Sequence, residues 1–169
     1  MNGFLCWSHH KNAYKVLLDT ATLQFSFIDL PDGLSGQGHL YRTGDTKDGK
    51  LCIVAAIDFT LFVWFRTPDA DGVDKWVLQN VLQLEEEVLE ATEGSLDELE
   101  QLKVFAIRDG IVYMTTFETF RDATLPCWYL SFCLETRKLE KLFYVKADGH
   151  AHPYFMPWPT SLVGNNLSP

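Results

Sequence analysis

The run Gly44-Asp45-Thr46-Lys47-Asp48-Gly49-Lys50 has the G-x4-G-K spacing with which backbone amides cradle a phosphate. Such a loop needs a following Ser or Thr for magnesium, and a helix whose N-terminal amides face the anion. Here Leu51 follows, and "LCIVAAI" has the composition of a strand, so a hairpin turn accounts for the run better. His150 and His152, in "GHAHPYF", present two imidazoles on one side of an extended segment. A zinc site needs about four ligands, or three and a water. Only Asp148 lies near in sequence, so these are expected to be solvent-exposed loop histidines. His9-His10 add imidazole without a ligand spacing. Neither a metal nor another cofactor is expected.

Nucleophilic catalysis finds no framework either. There is no G-x-S-x-G elbow, and no pair of carboxylates stands out for glycoside chemistry. Cys6, Cys52, Cys127 and Cys133 form no C-x-x-C pair, and each sits in an apolar or aromatic setting. Buried, reduced thiols are the expectation, in a chain whose N-terminus does not read as a secretory leader. The five tryptophans, Trp7, Trp64, Trp76, Trp128 and Trp158, are a different resource. Most should fill space between packed sheets. Any left exposed becomes an anchor for a protein partner or a sugar-stacking platform.

The elements that must position these residues read as strands. Apolar residues make up 47% of the 169-residue chain and aromatics 14%, too much for disorder. No run approaches the roughly 18 apolar residues of a membrane-spanning helix. Short aromatic and β-branched runs recur: "GFLCWS", "YKVLLD", "LQFSFIDL", "GHLYRTG", "KLCIVAAID", "TLFVWFR", "KWVLQNV", "LKVFAIR", "GIVYMTTF", "CWYLSFCLE" and "LEKLFYV". Asp48-Gly49, Asp71-Gly72 and Asp109-Gly110 mark turns between them. One helix is expected within 84–101, with Leu84, Val88, Ala91, Leu96 and Leu99 along one side and Gly94 dividing the segment.

That helical segment also explains the charge. The net charge is −9, but residues 85–100 hold eight of the 23 acids and no Lys or Arg, leaving 15 acids against 14 bases elsewhere. The chain is a near-neutral body with one acidic insert, without the basic footprint of a nucleic-acid binder. Neither nucleic acid nor a membrane is expected as a partner.

The strands fall into three blocks, near 1–33, 37–84 and 102–146, followed by an extended, Pro-rich tail over 147–169. A Gly-led strand recurs in each as "NGFLCW", "DGKLCIV" and "DGIVYM". A second device recurs as well: Leu18-Asp19-Thr20 with Leu23 matches Leu134-Glu135-Thr136 with Leu139. An acid before Thr at a strand end sets a turn by bonding its own backbone. Units of about 40–50 residues, each an antiparallel sheet of up to four strands, are the signature of propeller blades. The expected fold is therefore all-β, one domain over 1–169 forming an incomplete propeller of about three blades. Propellers close with about four to eight blades, so an arc of three implies self-association, a partner, or another packing of its blades.

The ordered series "GFLCW", "VLLDTATLQFSFIDLP", "GDTKDGKLCIV", "KWVLQ", "DGIVYM", "WYLSFCLETRKLEKLF" and "PYFMPWPTSLVG" resembles the C-terminal repeat region of plant F-box proteins, especially the grass type. The similarity covers roughly residues 3–164, and "PYFMPWP" is its most distinctive part. The resemblance implies a propeller-like region that recruits proteins for ubiquitination. In that family a separate N-terminal F-box helix bundle docks the ligase adaptor; only two residues precede Gly3 here, so no F-box is expected within this sequence.

The expected function is protein–protein interaction without catalysis, as a stand-alone adaptor or a competitor of full-length relatives, in the cytoplasm or nucleus. The expected partner is a protein, whether a recruited target, a related chain or a second copy. The alternatives are a small-molecule or carbohydrate-binding β module and a truncated product with little activity of its own. A hydrolase on a propeller face lacks any constellation of residues to carry it.

Overall fold

The computed structural model describes residues 4–8, 14–34, 37, 40–68, 70–72, 74–93, 101–117 and 127–145. They form eleven strands and one helix. The first sheet contains β1 (Phe4–Ser8), β2 (Tyr14–Asp19) and β3 (Phe25–Asp29). The second contains β4 (Tyr41–Asp45), β5 (Leu51–Ile57), β6 (Thr60–Pro68) and β7 (Asp74–Gln83). Helix α1 (Glu85–Thr92) follows. The third sheet contains β8 (Gln101–Arg108), β9 (Ile111–Phe117), β10 (Cys127–Cys133) and β11 (Leu139–Val145). Each sheet is an antiparallel meander in chain order, the all-β arrangement of blades that the repeats predict.

The second blade is sandwiched, and β5 shows why. Cys52 through Ala56 are buried without interruption, because both faces of the strand are covered. Cys52, Val54 and Ala56 belong to one core, shared with Val104, Val112, Met114, Leu130 and Phe132 of the third blade. Ile53 and Ala55 belong to another, with Leu34 and Tyr41, against which Leu30, Trp64 and Trp76 pack. By contrast β2 alternates, with Lys15 and Leu17 buried and Tyr14 exposed, as a strand covered on one face does.

The turns follow local chemistry. Asp109 and Gly110 both have positive φ, 50° and 77°, as a two-residue type I′ hairpin requires. Asp48-Gly49 is a longer loop than the tight pair expected. Thr46 N–H bonds Lys50 O at 2.9 Å, and only Gly49 takes the left-handed conformation. Helix α1 opens on Glu85, Glu86 and Glu87, whose charges suit the positive end of the helix dipole. It closes at Glu93 in left-handed conformation (φ 53°). Val88, fully buried, and Leu84 anchor it to the core between the second and third blades. Residues 94–100, with Gly94, Leu96 and Leu99, lie outside the described residues.

The repeated turn has the expected form and an unexpected frame. Asp19 N–H bonds Gln24 O at 3.0 Å, Leu23 N–H returns to Asp19 O at 2.8 Å, and Leu23 has φ 56°. Cys133 N–H bonds Lys138 O at 3.0 Å, Arg137 N–H returns to Cys133 O at 2.8 Å, and Arg137 also has φ 56°. Asp19 therefore corresponds to Cys133, not to Glu135 as the Leu-acid-Thr match proposes. The match reads similar letters two residues out of register with the backbone that repeats.

This frame aligns β2–β3 with β10–β11 and makes β1 the counterpart of β5 and β9, the Gly-led strands. Counterparts of β4 and β8 are missing from the first sheet among the described residues, which leaves the edge of β1 away from β2 unpaired there.

A candidate protein-interaction surface

Register assigns the faces of the first blade. Trp7 lies opposite Val16, which lies opposite Phe27; Leu18 faces Phe25, and Tyr14 faces Asp29. Residues directly opposite one another project to the same side of a sheet. One face of this blade therefore gathers Trp7, Tyr14, Phe25 and Phe27, exposed by 46%, 37%, 66% and 69%. Their rings are mutually arranged: Trp7 and Phe25 stand 6.3 Å apart, and Tyr14 meets Phe27 edge-on at 5.4 Å. Exposed Leu23 extends the patch at its turn. Single exposed apolar residues are ordinary; four contiguous aromatics make this face a candidate interaction surface.

The opposite face of the same blade meets the second blade. Lys15, Leu17 and Ile28 are buried there. The Lys15 ammonium donates to Thr43 Oγ1 and lies 4.8 Å from the Tyr41 ring centroid. Burial pushes its pKa down, against the opposing pull of Cys6. Burial likewise pushes up the Cys6 thiol and the Tyr41 hydroxyl. At the blade's periphery Trp76 Nε1 donates to Asp29 O at 2.5 Å.

The third blade carries a second aromatic face, directed away from the second blade. Tyr129 stacks on Phe143 at 4.6 Å, and Phe105 contacts both Tyr129 (5.7 Å) and Tyr113 (6.2 Å). Phe143 is about half exposed. Tyr129 itself is buried, as are Thr115 and Ser131 on the same side of the sheet, so this face is largely covered where the first blade's is open. Outer strand β7 adds exposed Val77, Leu78 and Val81.

Over residues 7–162 the chain matches the family model described as the beta-propeller of AT5G49610-like F-box proteins. The chain belongs to that family. No match was found among the curated proteins or the solved structures. Membership agrees with the blade topology, and protein interaction is the role such a propeller carries in an F-box protein. No helix among the described residues is long and apolar enough to cross a membrane.

Within this propeller the G-x4-G-K run is the β4–β5 hairpin. Asp48 accepts from the Thr46 hydroxyl and pairs with Lys50 at 2.7 Å. The hydrogen bonds from Lys50 and Thr46 bring the Asp48 carboxyl down to about 2. The run's ends serve the joint to the third blade: Gly110 N–H bonds Asp45 O at 2.9 Å, and Asp109 N–H bonds Asp45 Oδ1 at 3.2 Å. Trp64, Trp76 and Trp128 pack against core clusters, whereas Trp7 is the exposed one of these four. Trp158, His9, His10, His150 and His152 lie outside the described residues. Among the described residues no group of three or more His, Cys, Asp or Glu has a metal-holding arrangement.

Cysteine environments diverge more than their apolar sequence contexts suggest. Cys52 is buried, and burial pushes its thiol up to about 12. Cys6, Cys127 and Cys133 correct the expectation of buried thiols, since each is only partly buried at a sheet edge or end; Cys133 departs furthest in its chemistry. It is partly buried, and the Thr136 hydroxyl with the backbone N–H groups of Thr136 and Glu135 lowers its pKa. Asp19 is lowered by the matching donors, the N–H groups of Ala21 and Thr22. The feature sequence reasoning missed is that a thiol stands in the carboxylate's place, because the frame of the match hid the equivalence.

Proposed function

We propose that this propeller is a protein-recruiting module that works through the exposed blade face built on Trp7, Tyr14, Phe25 and Phe27. In this reading it acts as an adaptor, or competes with full-length F-box relatives for their partners, in the cytoplasm or nucleus. The observation that carries the reading is the aromatic face itself: Phe25 and Phe27 each leave about two thirds of their surface in water. Large rigid rings with few rotatable bonds lose little entropy on docking and dominate the energetics of protein interfaces.

The test is purification of the tagged full chain from its own cells, beside a Phe25→Ser/Phe27→Ser variant. The expected result is a stoichiometric protein partner with the wild type and its loss with the variant, at an unchanged unfolding midpoint. Unchanged recovery of the partner by the variant would remove this face from the function. Tight direct binding of the purified chain to the ligase adaptor would overturn the adaptor and competitor roles.

A further inference from the structure

One corner of the first blade's exposed face combines aromatic rings with a carboxylate. Tyr14 on β2 lies directly opposite Asp29 on β3, and Phe27 stands two residues before Asp29. All three side chains therefore leave the same side of the sheet. The Tyr14 and Phe27 rings meet edge-on, 5.4 Å apart with 85° between their planes. Two rings at nearly a right angle form a corner, and Asp29 places a carboxylate beside it. Asp29 is exposed, and Trp76 Nε1 fixes its backbone by donating to its carbonyl oxygen. Among the described residues no cation pairs with its carboxylate.

The exposed charge of this blade has one sign among its described residues. Asp32, three residues past Asp29, is exposed as well. Lys15 is the one described cation of the blade, and it is buried on the opposite face against Thr43 and the Tyr41 ring. His9, His10 and Lys11, between β1 and β2, lie outside the described residues. A carboxylate beside exposed rings attracts a cation in two ways, through its charge and through the ring quadrupole. The chain already seats its own cations on rings: Lys15 lies 4.8 Å from the Tyr41 centroid and Lys141 5.0 Å from that of Trp128.

We propose that this face binds a partner polypeptide segment whose arginine or lysine enters the corner of Tyr14, Phe27 and Asp29, while apolar side chains of the same segment cover Trp7 and Phe25. The inference rests on the reading that the face binds protein, and it states which kind of segment fits. Around Trp7 and Phe25 the cross-strand neighbours on this face are Val16 and Leu18, so that end is apolar. The Leu18–Phe25 pair lies four strand residues from the Tyr14–Asp29 pair, roughly 13 Å at the rise of a strand. An apolar anchor and a basic residue thus fit when about four residues apart in an extended segment, or about nine along a helix. Arginine suits the corner best, because its planar guanidinium can bond a carboxylate while stacking on a ring. An acidic segment meets like charge at the same place.

The test selects peptides of about twelve residues, long enough for either spacing, from a random phage-displayed library on the purified full chain. Phe25→Ser/Phe27→Ser and Asp29→Asn are the comparison variants. All three positions are exposed, and far-ultraviolet circular dichroism through thermal unfolding verifies that each variant folds. Wild-type selections should be enriched in peptides that pair an apolar residue with Arg or Lys, and Phe25→Ser/Phe27→Ser should lose them. Fluorescence anisotropy then compares the best peptide with a version carrying Gln in place of its basic residue. That exchange should weaken binding about tenfold, and Asp29→Asn should weaken the basic peptide about three- to fivefold while leaving the Gln version unchanged. Raising salt from about 0.05 to 0.5 M should weaken the basic peptide alone.

Selected peptides that depend on Phe25 and Phe27 yet show no excess of basic residues would overturn the inference and leave the face a protein-binding surface. Asp29→Asn binding the basic peptide as tightly as the wild type would do the same. No selection at all, or peptides retained by Phe25→Ser/Phe27→Ser, would overturn both the cation corner and the reading of the face on which it rests.

Discussion

Gly44 on β4 lies directly against Ile107 on β8, where the inner strands of the second and third blades approach most closely. A Cβ at position 44 would stand 2.4 Å from the Ile107 carbonyl oxygen and 2.5 Å from its Cβ. Gly44 is the first glycine of the phosphate-loop spacing. Its role is to let two backbones meet, and the turn glycine of that hairpin is Gly49, five residues on, with φ 78°.

Gly44→Ala should therefore cost about 3 kcal/mol or more, because the groups it meets are backbone and Cβ atoms that no rotamer change can withdraw. Ile107→Ala should not rescue it, since both atoms survive that truncation. Gly49→Ala, with nothing within 4 Å of the added carbon, should cost only the ~1–2 kcal/mol of a left-handed backbone. Urea unfolding midpoints compare the variants. A smaller cost at Gly44 than at Gly49 would contradict the close approach of the blades.

The repeated turn makes opposite predictions for two acids. Asp19→Ala should destabilise the chain, since the N–H groups of Ala21 and Thr22 lose their acceptor. Glu135→Ala should be near neutral. Cys133→Asp should be tolerated and should stabilise the turn at neutral pH. The turn donors would hold the new carboxylate below its unfolded pKa, so the gain is present above that value and fades as pH falls through the folded one. Thermal unfolding at neutral and acid pH reads both signs. Equal effects at Glu135 and Asp19 would restore the Leu-acid-Thr frame.

Cysteine reactivity should follow the same local chemistry. Iodoacetamide attacks the thiolate, so Cys133 should be modified first near neutral pH and Cys52 last, with Cys6 between them. Thr136→Val removes the hydroxyl that lowers the Cys133 pKa and should slow its modification severalfold while leaving Cys6 unchanged. Peptide mass spectrometry over a time course gives the order. Modification of Cys52 ahead of Cys133 would contradict the described environments.

Lys15 predicts a pH dependence of known sign. Burial holds its amine below 10.5, so the folded chain binds this proton more weakly than the unfolded chain does. The cost of keeping it charged is fully present below the folded pKa and disappears as pH rises from there to 10.5. Cys6 acts the other way: its thiol is raised above 9.0, so its contribution holds below 9.0 and is lost as pH rises toward the folded value. Lys15→Met removes the first effect and also the ammonium that lowers the Cys6 thiol, so in the variant the Cys6 contribution falls at least as steeply with rising pH. As pH rises toward 10.5 the wild type should gain stability relative to the variant, measured by urea unfolding. A constant difference across that range would argue against a buried lysine.

The sequence by itself determined the elements and their repetition. Aromatic and β-branched runs specify strands because such side chains pack on a pleated surface, and Asp-Gly pairs tolerate the positive φ of hairpins. From these came three blades, an acidic helix after the second, and a family that the propeller match bears out. Helix α1 was legible because Leu84 and Val88 share one side while glutamates cover the rest.

Tertiary structure decided what each face meets. Lys15 and Phe27 are neighbours in one sheet, one buried and the other about two thirds exposed, because a second blade covers only one side. Alternation in the sequence separates the two faces but does not say which of them finds a partner. Trp7, Trp64, Trp76 and Trp128 read alike as letters, yet Trp7 alone among them lies on an uncovered blade face. The repeated turn teaches the same lesson at smaller scale. Its hydrogen bonds are set by backbone register, so Cys133 holds the place of Asp19 while a better-looking acid stands two residues away. Burial, close approach and turn register all depend on atoms brought together from distant parts of the chain, which no local pattern of residues contains.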